Sequence, residues 1–269
     1  MTKRIFLLCA AVCMAAACKD DGIQTDWTAL DAVTAPSEAA LFPDGAQLWT
    51  EDDALSLLDE AGKRYTARLK KGAGTDVGSF RLSGGVSPKY ALYPASSSFS
   101  LGEDGRPVVN LDAARDGSAP PPFYAEEPAS GSSWMLRCLT GMLHVTMENV
   151  PAEAAVLQFA ADKVKLSGSF PVPESDGTPA IPMLSTEAAD STVSVTLNGA
   201  ASVRFPLPDG TYGNWSLTLL DSGKQVLAQS RGGSLRIWRG EVTDQTVSFH
   251  SDTDGGSTIM DLIPEDGEW

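Results

Sequence analysis

The sequence is poor in the residues that build catalytic and metal centres. Four cysteines and two histidines occur among 269 residues. Cys9, Cys13 and Cys18 sit at the amino terminus, so Cys138 is the one thiol left for a folded domain. An intramolecular disulfide is excluded there, and so are paired-cysteine zinc sites. Stability must then come from burial in a core of adequate size. Only His144 and His250 remain for acid–base or metal work, and no Gly-x-Ser-x-Gly elbow occurs, which leaves little from which to build a Ser/His/Asp triad. Basic charge is scarce too: 20 Lys and Arg against 35 Asp and Glu give a net charge of −15. Such a surface repels phosphate, which argues against nucleic acid and against a polybasic membrane contact. Long apolar runs are also missing. Ile5–Met14 is about ten residues, half of the roughly 20 needed to cross ~30 Å of hydrocarbon. Nothing between Leu55 and Leu111 holds a helical period over about ten residues.

What is present begins with an export signal. Lys3 and Arg4, the apolar Ile5–Met14 and the small Ala15-Ala16-Ala17 follow one another directly before Cys18. Small residues followed at once by Cys resemble the lipobox of bacterial lipoproteins, with Ala15 standing where Leu is usual. The resemblance implies that residues 1–17 are removed and that Cys18 is acylated, anchoring the chain in membrane lipid. Several acyl chains on one residue make a stable tether, whereas a single chain binds only marginally. Lys19-Asp20-Asp21 looks like the surface-export signal of Bacteroidota lipoproteins, which implies a lipid-anchored protein exposed on the outer membrane. The alternatives are an ordinary secretory signal cut elsewhere and a lipoprotein facing the periplasm. Removing the signal takes Lys3 and Arg4 but no acid, so the mature chain is the more acidic one. About 250 residues remain, enough for one large or two small domains of roughly 100–150 residues.

Gly22–Ala46 is polar and small, with Pro36 and Pro43, and reads as a spacer, although Trp27 and Leu30 fit a first strand. Short runs with period-two alternation follow, bounded by Gly, Asp, Asn or Pro. Leu55–Leu58 and Arg64–Leu69 predict a hairpin with Tyr65, Ala67 and Leu69 inward. Phe80–Leu82, Tyr90–Tyr93 and Pro107–Leu111 continue the series, and 116–133, with three consecutive prolines, predicts a long surface loop. Trp134–Val150 is the most apolar run after the signal and predicts a central strand. Further strands are expected at Val156–Phe159, Val164–Gly168, Val193–Leu197, Val203–Tyr212, Trp215–Leu219, Gln225–Ala228, Leu235–Trp238 and Val247–Phe249, with Asp221–Lys224 as a hairpin turn. About a dozen short strands with frequent turns mean an all-β fold, as two tandem sandwiches. The expected layout is a signal peptide at 1–17, the lipidated Cys and spacer at 18–46, one sandwich at 47–150, a second at 151–250 and a tail at 251–269. The middle boundary is open, because the apolar run there either closes the first domain or opens the second.

The order of phrases resembles the fimbrillin family of Bacteroidota, pilin-like lipoproteins with two transthyretin-like (Ig-like) β-sandwich domains. The phrases are Cys18-Lys19-Asp20-Asp21, Tyr90-Ala91-Leu92-Tyr93-Pro94, Leu136 to Val145, and Phe205-Pro206-Leu207-Pro208-Asp209-Gly210-Thr211-Tyr212 with its following hairpin. None contains a catalytic residue. The resemblance implies assembly with other fimbrial subunits by strand addition, where backbone hydrogen bonds give affinity and alternate side chains fill pockets. It implies as well that shaft subunits lose a first strand to an arginine-specific protease. This chain departs from that pattern, since no Arg or Lys lies between Asp20 and Gly62 and the first candidate, Arg64, falls inside the predicted hairpin. An anchor or minor subunit that keeps its lipid is the better match, with function through an exposed sheet edge or groove and no enzymatic role.

The remaining candidates are few. Thr258–Ile263 follows a Gly/Asp linker, and its Ile259, Met260, Leu262 and Ile263 form either a strand for another subunit's sheet, the protein's own edge strand or a mobile tail. Asp252-Thr253-Asp254-Gly255 opens like a calcium loop, but Gly256 and Ile263 stand where ligands are needed, so no metal is expected. The Asp-Gly pairs at 44, 104, 116, 176 and 209 supply residues for turns. Acid clusters such as Glu51-Asp52-Asp53 are expected as solvated loops rather than a glycosidase pair. No cofactor is implied. Trp49, Trp134, Trp215 and Trp238 support the rival function, glycan binding at the cell surface, if two or three share one exposed sheet face. Trp215 and Trp238 are expected in the core and Trp134 as the exposed one.

Overall fold

The computed structural model describes residues 27–42, 45, 48–95, 99–115, 117, 120–129, 132–172, 191–251 and 258–263. These hold nineteen strands and one short 3-10 helix, so the fold is all-β. No helix among them is long and apolar enough to cross a membrane.

In the first half, β1 (Trp27–Thr34), the helix Pro36–Leu41, β2 (Ala54–Leu58), β3 (Arg64–Lys71), β4 (Val77–Ser83) and β5 (Tyr90–Tyr93) follow in order. Next come β6 (Phe99–Leu101), β7 (Pro107–Leu111), β8 (Ala114–Arg115), β9 (Phe123–Glu126) and β10 (Trp134–Cys138). Seven of them close into a barrel in the order β1-β10-β9-β5-β2-β3-β4. The segment expected as spacer therefore contributes a strand. β1 runs antiparallel to β4, from Trp27 opposite Ser83 to Val33 opposite Val77, and parallel to β10 from Ala32 to Thr34. Its inward positions are Leu30, Ala32 and Thr34, small enough that their alternation leaves a faint apolar signal. The expected hairpin forms, with Leu55 opposite Ala67 and Leu57 opposite Tyr65. Asp59 shapes its turn by accepting hydrogen bonds from the Ala61 and Lys63 amides and the Tyr65 hydroxyl. Trp49 fills the barrel, edge-on to Phe80 and Tyr93 with ring centroids 5.0 Å apart, and its indole N–H donates to the Asp76 carbonyl at 3.1 Å. The loop expected over 116–133 contains β9, whose Phe123 is fully buried and stacks on Phe42 at 5.2 Å.

The second half supplies β11 (Gly141–Glu148), β12 (Ala154–Ala161), β13 (Gly168–Pro171), β14 (Thr192–Thr196) and β15 (Ser202–Leu207). The last four are β16 (Gly210–Asp221), β17 (Val226–Ile237), β18 (Val242–Ser251) and β19 (Thr258–Ile263). A four-stranded sheet, β15-β11-β18-β19, faces a five-stranded one, β17-β16-β12-β14-β8, as an open sandwich. Leu143, Val145, Leu157, Phe159, Phe205, Trp215, Leu217 and Phe249 lie in the core between them. Phe159 stacks on Trp215 at 5.9 Å, and the indole lies so close to Gly232 that a Cβ there would stand 2.1 Å from it.

The expected single strand over Trp134–Val150 is two strands. β10 closes the barrel and β11 opens the sandwich, so the apolar run serves both bodies and the chain passes between them at Leu139-Thr140, ahead of residue 150. A side chain at Gly141 would collide with the Trp238 carbonyl, with a Cβ only 2.3 Å from that oxygen. Sequence order is broken once more by residues 99–115. β7 pairs with β6 and with β13 from the second half, forming a three-stranded sheet. Its Phe99, Val109 and Phe170 cluster with Leu58, Leu92 and Tyr124 from barrel strands, which explains why Leu57 and Leu58 are both fully buried. β8 joins the sandwich beside β14. Of the Asp-Gly pairs, Gly45 and Gly105 take positive φ, at +71° and +77°, whereas Gly117 and Gly210 do not; Gly210 instead starts β16.

Candidate subunit-association site

The expected lipid site and export signal, Cys18, Lys19, Asp20 and Asp21, lie outside the described residues. The expected strand at the other end of the chain is in place. β19 runs antiparallel to β18 with Met260 opposite Phe249 and Leu262 opposite Val247, so Met260 is buried at 4 % exposure and Leu262 packs on the same core. Of the outward set, Ile259 is 37 % exposed, Asp261 is exposed and Ile263 is half-buried. The run is therefore the protein's own edge strand, and a donor role would require it to leave this seat. Among the described residues β19 hydrogen-bonds to no strand other than β18, although β17 of the facing sheet lies close alongside it.

The two bodies are bolted together near the short helix. Glu38 is buried at 7 % exposure, and its Oε2 accepts the Cys138 backbone N–H at 2.6 Å. Burial pushes the Glu38 carboxyl above its ordinary range, even though the Cys138 amide and the charges of Arg137 and Arg239 act the other way. From the second body, the Arg204 guanidinium donates to the Leu41 carbonyl at 2.7 Å, and the Gly240 amide donates to the Thr140 carbonyl at 3.0 Å. Cys138 is fully buried, its Sγ donates to the Thr140 carbonyl at 3.0 Å, and burial pushes its thiol up to about 12. It behaves as a small core residue.

The phrase Phe205–Tyr212 has a structural job. Asp209, nearly buried, pairs with Arg236 at 2.8 Å and accepts the Arg239 amide at 2.9 Å, while the buried Tyr212 hydroxyl donates to the Pro208 carbonyl. Neither histidine gathers ligands. His144 pairs with Asp244 at 2.7 Å and His250 with Asp261 at 3.4 Å, and no group of three potential metal ligands forms among the described residues.

The tryptophans depart from expectation in two places. Trp134 is buried at 7 % exposure, because it lies on β10 facing the barrel core, and Trp238, just past β17, is 52 % exposed with the Arg236 guanidinium 3.7 Å from its ring. Trp49 and Trp215 are core residues as well. Among the described residues the exposed tryptophans, Trp27 and Trp238, sit on different bodies, each with an arginine over the ring, Arg81 at 5.3 Å in the first case. That is not the shared flat platform a glycan site needs, so the edge is the stronger candidate. Sequence reasoning missed Glu38. It is an ordinary charged residue in the sequence, and only tertiary contact distinguishes it.

No protein-family model matches the chain, and no curated protein matches it in sequence. Solved structures do resemble it. A candidate cell adhesion protein from Bacteroides ovatus matches at a TM-score of 0.52 and 13 % identity, over 80 % of this chain and 87 % of that one. One from Bacteroides uniformis matches at 0.49 and 14 %, over 88 % and 97 %. The tip fimbrial protein of Porphyromonas gingivalis, with a C-terminal truncation, matches at 0.34 and 9 %, over 88 % and 98 %. The first likeness shows a shared overall fold.

Proposed function

We propose, on the premise of a fold shared with the Bacteroides ovatus protein, that this chain is a surface-tethered, fimbrillin-like lipoprotein. It acts as an anchor or minor subunit in fimbria assembly or cell adhesion, held in the outer membrane by lipid on Cys18 and joined to other fimbrial subunits through backbone pairing. The observation that carries the reading is the outer edge of β19, to which no described strand hydrogen-bonds, with Ile259 exposed beside it. An incoming strand there gains main-chain hydrogen bonds and packs alternate side chains against the sheet.

The anchor role is preferred over a shaft role because of where cleavage would fall. Arg64 is exposed but opens β3, opposite Leu58 of β2. Cutting there would release β1 and β2, two of the seven strands that close the barrel. A subunit that must remain folded keeps them. The test is the double variant Ile259→Lys and Ile263→Lys, which charges the edge without touching Met260 or Leu262. Fimbrial subunits should co-purify with the wild-type chain and be lost from the variant, while its thermal unfolding stays unchanged. Unchanged co-purification would remove the β19 edge from the account.

A further inference from the structure

Net charge is an average over the chain, and here the cations are unevenly spread. Lys63, Arg64, Arg68, Lys70, Lys71 and Arg81 are six of the 20 Lys and Arg, and Asp76 is the one acid among residues 63–81. That stretch folds into β3 and β4, and β4 pairs with β1. Leu30, Ala32, Ala67, Phe80 and Leu82 turn into the barrel core, so strand alternation sends Trp27, Asp31 and Val33 of β1 and Val77 and Arg81 of β4 outward. Arg68 lies opposite Arg81, and Lys71 lies opposite Ser79 after the bulge in β3. Arg64, Arg68, Lys71 and Arg81 are all exposed, against Asp31 on the same face and Asp76 at its border. The acidic total of −15 therefore does not describe this side of the barrel.

The face is also apolar at both ends. Trp27 is 52 % exposed beneath the Arg81 guanidinium. Six residues up β1, about 20 Å away at ~3.3 Å per residue, Val33 sits between Val77 of β4 and Met135 of β10. Trp27, Val77 and Met135 are three of the seven large apolar side chains exposed among the described residues. Elsewhere the barrel is covered: Leu58 of β2 and Leu92 of β5 pack on the three-stranded sheet.

The chemistry and the chain's reach both say what meets this face. Tryptophan rings favour the membrane–water boundary, and guanidinium groups fork onto phosphate oxygens. Each Lys or Arg close to an anionic bilayer strengthens contact roughly fivefold. Trp27 follows Cys18 by nine positions, a span of at most about 30 Å and roughly 15–18 Å on average for a flexible chain. In the linker Asp20, Asp21 and Asp26 outnumber Lys19, so it is the sheet that offers cations to the bilayer.

We propose that the outer face of β1, β3 and β4 rests on the anionic headgroup surface of the bilayer that holds Cys18. Trp27 sits at headgroup level, and Arg64, Arg68, Lys71 and Arg81 face the phosphates. The proposal rests on the reading that Cys18 carries lipid, and it adds which side of the barrel is turned to the membrane. Strand pairing at β19 belongs to the other body, so the two contacts use different surfaces.

The test uses the mature chain, residues 18–269, made without lipid and joined through the Cys18 thiol to a maleimide lipid, the buried Cys138 being out of reach. The vesicles are phosphatidylglycerol and phosphatidylcholine in equal parts, or phosphatidylcholine alone, each containing brominated lipid that quenches tryptophan on contact. On the anionic vesicles part of the fluorescence should be quenched. Trp27→Phe should abolish that quenching, since Trp49, Trp134 and Trp215 are buried, whereas Trp238→Phe should keep it. Arg68→Glu combined with Lys71→Glu, both exposed and therefore unlikely to disturb folding, should weaken contact at least about tenfold and bring quenching to the Trp27→Phe level. Urea unfolding confirms that each variant is folded. Phosphatidylcholine alone should quench less. No quenching of the wild type, quenching that survives Trp27→Phe, equal quenching on both vesicle types, or quenching untouched by the double charge reversal would overturn the proposal. Self-association of the chain that the reversal abolishes, without quenching, would mark the face as a protein contact and overturn it too. Cell-derived protein lacking lipid on Cys18 would remove the tether instead and leave the vesicle result as measured.

Discussion

Replacing Met260 by Ala, with Ile259→Ala as its partner experiment, tests whether β19 is seated as described. The two residues are adjacent and similar in size, yet the register sends them to opposite faces. Met260 lies opposite Phe249 in the sandwich core at 4 % exposure, while Ile259 is 37 % exposed. Truncating a buried Met to Ala costs about 2–5 kcal/mol, and an edge strand that can settle into the gap falls at the lower end, about 2 kcal/mol. The exposed position should lose no more than about 0.5 kcal/mol. With a urea slope of roughly 2 kcal/mol/M, the first variant should unfold about 1 M earlier and the second almost with the wild type. Urea titration followed by tryptophan fluorescence reads both, because Trp215 lies in the same core as Met260. An Ile259→Ala variant as destabilised as Met260→Ala would refute the register and with it the placement of β19 at the sheet edge.

Gly232→Ala should lose about 3 kcal/mol or fail to accumulate folded, because the new Cβ would stand 2.1 Å from the Trp215 ring, whereas Gly233→Ala, with nothing within 4 Å, should be near neutral in the same urea titration. Glu38→Gln keeps an acceptor for the Cys138 amide but cannot ionise. Since the folded-state pKa of Glu38 is raised, wild-type stability is lost as pH rises from the ordinary carboxylate value through the folded one, so the variant should gain on the wild type between pH 4 and pH 7.5. Denaturant unfolding at those two pH values checks this, and an identical difference at both would contradict it. Cys138, fully buried and with its thiol pushed up to about 12, should resist a thiol-specific disulfide reagent in the native protein at pH 8 and react on unfolding. Rapid native-state labelling would contradict its placement.

The all-β class and most strands were legible because alternation and turn residues agree along the chain. The 55–69 hairpin is the clearest case, since Tyr65, Ala67 and Leu69 declare one face and Asp59 to Lys63 declare the turn. β1 was harder to read because its inward residues are Leu30, Ala32 and Thr34, and β9 because three prolines beside it suggested only a loop. The split at Thr140 was illegible for a different reason. An apolar run that ends one core and begins the next looks continuous, and only pairing partners, β9 for Cys138 and β15 for Gly141, separate the halves. The interleaving of β7, β8 and β13 depends on long-range pairing that no local pattern encodes. Trp134 and Trp238 exchanged their expected roles because flanking Gly and Ser do not decide which face of a strand turns outward. The edge strand Thr258–Ile263 was visible as an apolar run after a Gly/Asp linker.

The central claim, a lipid-held subunit that keeps its first strands, is tested most directly by intact-mass analysis of the protein taken from cells, combined with protease added from outside. The account predicts a chain that begins at an acylated Cys18 and is digested on intact cells. A chain that begins after Arg64, or one that carries no lipid, would contradict it.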